Sequence, residues 1–135
     1  MALKNIELFD LYVGKIFVEL YEHFPIRTTL SPCDMTGMEV DEEALDHPKQ
    51  CYIFHDTMVW LQESGYVKYA KGDIYAFHDV VLTARGLELL KAVPDSVQSK
   101  SGIGDKLSFI AKKGGDEALK NMVNTLLSMG VRMFG

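Results

Sequence analysis

The sequence predicts an α+β protein. A domain of helices and one two-stranded β-hairpin is expected over residues 1–94, then a linker at 95–104 and a helical C-terminal extension at 105–135. Three observations predict it. Ile6, Phe9, Val13, Ile16, Phe17, Leu20 and Phe24 recur at three- and four-residue steps, which draws one apolar helical stripe. Residues 66–70 and 74–82 are β-rich runs flanking Lys71-Gly72-Asp73, the pattern of a hairpin and its turn. Leu119, Met122, Val123, Leu126, Leu127 and Met133 repeat helical spacing after a stretch rich in Ser, Gly and single charges.

The elements follow in order. The first helix should span 5–23, with Glu7, Asp10, Lys15, Glu19 and Glu22 on its solvent side. Phe24-Pro25 ends it, because the residue before proline avoids helical geometry. Residues 27–30 read as a short β segment, and Ser31-Pro32 starts a turn or a brief helix. One helical turn is expected at 41–45, with Asp41 as N-cap. The next helix should open with His47 at the cap and Pro48 at the first helical position, where its missing donor is harmless, and run to Ser64. Cys51, Phe54, Met58 and Leu61 share its inner face, with Tyr52, Val59 and Trp60 beside or behind them. Gly65 supplies a left-handed C-cap. Thr83 caps a helix over 84–93 that Gly86 weakens locally. In the tail, helices over 105–113 and 115–134 are separated at Gly114-Gly115.

Helix end, hairpin and the run LTARGLELL, all within residues 58–90, resemble winged-helix domains. That resemblance implies a winged-helix-like fold for 1–94, with the helix over 48–64 at the recognition-helix position. It also implies DNA as a ligand to be weighed, since most domains with this outline bind it.

The charges argue against that ligand. Residues 1–94 hold 8 Lys/Arg and 15 Asp/Glu, a net of −7, whereas 95–135 hold 6 and 4, a net of +2. Duplex binding depends on cations that neutralise phosphate, and base reading favours Arg, Asn or Gln. The presumed recognition helix has no arginine, and Lys49, Gln50, Lys68 and Lys71 are the candidate DNA contacts on the alternative reading, that of a transcriptional regulator. An acidic domain repels the phosphate backbone unless its few cations converge.

No catalytic motif is present: no GxSxG, no HExxH, no CxxC and no phosphate-cradling glycine loop. The chain is therefore expected to be non-enzymatic, with no cofactor. Cys33, His47, Cys51 and His55 are possible zinc donors, and Cys51 and His55 stand i, i+4 on one helix, but the spacing matches no zinc-finger pattern and no metal is expected. Two cysteines suggest a reduced, cytoplasmic chain rather than a disulfide scaffold. No uncharged apolar run is long enough for a membrane span.

The favoured partner is a second copy of the chain, another protein, or both. The tail stripe of Leu119, Met122, Val123, Leu126, Leu127 and Met133 is its expected contact surface. On that reading, Glu at positions 122 and 126 dissociates the oligomer and leaves the domain folded. Tyr12, Tyr52, Trp60 and Tyr75 are candidate walls of a pocket between the first helix and the hairpin.

Overall fold

A computed structural model describes residues 3–39, 43, 46–94 and 101–135, so the helical turn expected around Asp41 lies outside the described residues. Among these residues, six helices and a small antiparallel sheet make an α+β architecture. The helices are α1 (Asn5–His23), α2 (Pro32–Thr36), α3 (Lys49–Glu63), α4 (Ala84–Lys91), α5 (Ile103–Lys112) and α6 (Asp116–Phe134). The strands are β1 (Thr28–Leu30), β2 (Val67–Lys68), β3 (Lys71–Gly72) and β4 (Phe77–Leu82).

Helix α1 has the bounds its stripe predicts, but it is buried on more than one side. Asp10, Leu11, Tyr12, Val13 and Gly14 are consecutive buried residues, as befits a central helix. The expected solvent face is thus partly wrong. Asp10 is covered by α6, whose Asn124 donates to its carboxylate, while Ile6 of the apolar stripe is 61% exposed. Burial raises the Asp10 carboxyl above its ordinary range, and Asn124 and the nearby Lys120 ammonium oppose that rise.

Strand β4 is the centre of the sheet. It pairs with β1 on one edge and with β2 and β3, successive pieces of one return strand, on the other. The turn lies later than the sequence predicts. Lys71 and Gly72 pair with His78 and Phe77, and the chain reverses at 73–76. There the Asp73 carboxylate accepts from the Tyr75 and Ala76 amides at 2.8 and 3.0 Å, and the Asp73 amide donates to the Ala76 carbonyl. A side chain that mimics a backbone turn places the reversal at 73–76 instead of 71–73. Asp79, with φ of 57°, sits at a register shift between β4 and β1, so His78 and Asp79 are both exposed instead of alternating.

One cap differs in detail. Pro48, not His47, is the N-cap of α3, whereas Thr83 caps α4 by accepting from the Gly86 amide at 3.1 Å. Gly65, with φ of 85°, closes α3 in the left-handed region as expected.

The C-terminal helices complete the core begun by the preceding residues. Leu107, Leu119, Val123 and Leu126 join Phe17, Phe54, Phe77, Met58 and Leu89 in one cluster of buried side chains. Helix α5 begins at Ile103, inside the expected linker, and the Ile103 amide donates to the Ala92 carbonyl at 2.8 Å. Two glycines set how closely α6 approaches. A Cβ on Gly14 would fall 2.7 Å from Leu119 Cγ, and one on Gly130 would fall 2.4 Å from the Tyr66 hydroxyl. The helical extension expected at 105–135 packs on the preceding helices. Leu119, Val123 and Leu126 of its stripe are buried because α1 offers an apolar second face.

Candidate functional site

The tail residues proposed from sequence as a partner surface divide in two. Leu119, Val123 and Leu126 are buried against the chain's own helices and present nothing to a partner. Met122 and Leu127 are half-buried at the edge of the core, and Met133 is exposed beside α4. The period-3.6 pattern was sound; the destination of the stripe was the part that spacing alone does not specify.

A different surface collects exposed apolar side chains. The inner face of α3 spends Cys51, Phe54, Met58 and Leu61 on the core, which leaves Tyr52, Asp56 and Trp60 one turn apart on the outside. Between this outer face and the start of α1 runs an open groove of about 890 Å³, floored by Phe9, Ile53 and Trp60 with Ile6 at its edge. Trp60 stands edge-on to Phe9, with ring centroids 5.2 Å apart, and is 41% exposed. That contact fixes the indole while leaving much of it open to solvent. Asp46, Lys49 and Asp56 form the charged rim.

The polar end of the groove is pre-organised. Asp46 accepts from the Tyr52 hydroxyl at 2.9 Å and from the His47 amide at 3.0 Å, and these hydrogen bonds, Tyr52's first, hold its carboxyl below the usual range. The His47 ring packs tilted on Tyr52 and edge-on to Tyr75, so the hairpin turn braces this corner. Its Nδ1 is buried without a hydrogen-bond partner among the described residues. Of the four aromatics proposed as pocket walls, Tyr52 and Trp60 line the groove. Tyr12 is buried in the core, where burial foremost, with Cys51 beside it, raises its hydroxyl to about 12, and Tyr75 touches only His47's side of the groove.

The possible zinc donors are not assembled. Cys51 is buried with its thiol pushed up by burial, Cys33 adding to that effect, and both are free thiols. His55 turns its Nδ1 to Asp56 at 2.9 Å and lays its ring on Phe77, while His47 faces Tyr52 and Tyr75. Among the described residues no three His, Cys, Asp or Glu side chains are grouped to hold a metal ion. No helix among them is long and apolar enough to cross a membrane.

The four candidate DNA contacts are scattered across three elements. Lys49 is exposed at the start of α3, Gln50 is half-buried, and Lys68 and Lys71 are exposed on β2 and β3. Lys49 sits in a groove it shares with Asp46 and Asp56.

Ile6 of the predicted apolar stripe and Val131 are exposed, and Phe9 is only half-buried. One signal for them was present: Tyr52, Asp56 and Trp60 at i, i+4 and i+8 place aromatics on the side of α3 opposite its core stripe. Comparison of the chain with protein-family models, with curated proteins and with solved structures returns no match.

Proposed function

We propose that this chain is a non-enzymatic, winged-helix-like interaction module whose outer α3 face binds protein. The winged-helix reading draws support from the order α1, β1, α2, α3, β2, β4, with β4 paired between β1 and β2. The observation that carries the binding reading is the character of α3. Where a DNA-reading helix needs several cations and base-reading amides, the α3 side of this apolar groove offers Tyr52, Asp56 and Trp60, with Lys49 at its start. Exposed aromatics held by packing, with a polar rim, are the composition of protein-contact hot spots.

The test is a photo-crosslinking amino acid placed at position 52 in cells. Protein adducts that vanish when the same probe is moved to Lys91 on α4 support the reading. No adduct at position 52 overturns it. DNA remains the second reading because Lys68 and Lys71 are both exposed on the hairpin. Tight, salt-sensitive binding of duplex DNA, lost with Lys68→Glu/Lys71→Glu, would replace the first reading with the second.

A further inference from the structure

Trp60 lines two grooves whose rims differ in charge. On one side is the α1–α3 groove, with Asp46 and Asp56 outnumbering Lys49 on its rim. On the other is a smaller groove of about 350 Å³ between α3 and α6, lined by Leu127, Val131 and Phe134, with Arg85 at its edge. The result is one apolar strip with acid at one end, Trp60 in the middle and a guanidinium at the other end. Ile6 and Val131, 61% and 69% exposed, stand on either side of the indole.

We propose that this strip pairs with the same strip on a second copy, about a two-fold axis beside Trp60. The proposal rests on the protein-binding reading above and names its partner. A two-fold interface uses one patch twice, so the patch must complement itself after a half-turn. This one does: rotation about Trp60 brings the Asp56 end of one copy to the Arg85 end of the other. Both groups are available. Asp56 is 83% exposed at its side chain and bonds only its neighbour His55, and Arg85 makes no ion pair among the described residues, its guanidinium resting 4.7 Å over the Phe134 ring. Apolar side chains at the centre and charges at the ends match the arrangement such interfaces use.

Sedimentation equilibrium on the whole chain tests the pairing. The wild type should approach twice the 15.2 kDa chain mass. Val131→Glu should yield the single-chain mass with unchanged helical content. Asp56→Arg and Arg85→Asp should each weaken association at least tenfold, about 1.4 kcal/mol. Asp56→Arg/Arg85→Asp exchanges the charges and should recover the dimer. A wild type that stays at single-chain mass to millimolar concentration overturns the proposal, as does a dimer indifferent to Val131→Glu. Failure of that kind leaves the crosslinking result at position 52 to decide the broader reading separately.

Discussion

The carbonyl oxygen of Tyr66 rests against the α-carbon of Gly86, so closely that a β-carbon there would lie 2.2 Å away. The same oxygen accepts from the Thr83 amide at 3.0 Å, and the Thr83 hydroxyl donates to the Gly65 carbonyl. Four residues thus lock the end of α3 to the start of α4. Gly86 lowers helix propensity, yet only glycine fits this approach, and the packing outweighs the propensity. Gly86→Ala should therefore destabilise the chain by about 2 kcal/mol in urea unfolding, against the gain that a helix interior gives alanine. Equal or greater stability would show that the lock is loose.

Leu126 and Val131 lie on one helix and should respond in opposite ways to the same substitution. Leu126 is wholly buried, so Leu126→Glu places a carboxylate in the core and should abolish cooperative unfolding, while Leu126→Ala should cost about 3 kcal/mol. Val131→Glu should keep the chain folded with a cooperative transition, its Tm lowered only by the lost pairing with a second copy. Circular dichroism across a thermal ramp separates the cases. This reverses the expectation drawn from sequence, that Glu at 126 would leave the domain folded.

Asp10 makes stability depend on pH in an unusual direction. Burial raises its carboxyl, so the folded state favours the neutral form and loses stability as pH rises through that raised value. Above that raised value the cost is present in full. Asp10→Asn should raise Tm at pH 7, and the gain should shrink as pH falls below the ordinary carboxylate range. A Tm gain that does not change between pH 3 and 7 would remove Asp10 as the cause.

Asp73 works the other way. Hydrogen bonds from the Ala76 and Tyr75 amides, in that order, hold its carboxyl below its usual value. Its contribution is present above the unfolded carboxylate pKa and is lost as pH falls through the lower folded one. Asp73→Ala should cost about 1 kcal/mol at pH 7, with the difference from wild type vanishing in acid. Chemical unfolding at pH 7 and pH 2 measures both.

How much was legible depended on whether a residue's role was local. The bounds of α1, the Gly65 cap and the Thr83 cap follow from spacing and cap chemistry, and the structure has them. The hairpin turn was misplaced because Lys71-Gly72-Asp73 has turn composition, whereas the Asp73 side chain pulls the reversal onto the residues after it. The fate of the α6 stripe was not legible. Gly14 and Gly130 permit its close docking, and each reads in sequence only as a weak point in a helix. The outer face of α3 is half legible: the sequence points to Tyr52 and Trp60 as pocket walls, but their neighbours Ile6 and Phe9 come from a segment more than forty residues away.

Trp60 is the only tryptophan in the chain, so its fluorescence reports on the proposed contact surface directly. Its emission and its quenching by acrylamide should be followed as protein concentration rises, with and without duplex DNA. A blue shift and falling quenching with concentration, unaltered by DNA, is the expected result. Emission that stays solvent-exposed at every concentration and changes only when duplex is added would contradict the account.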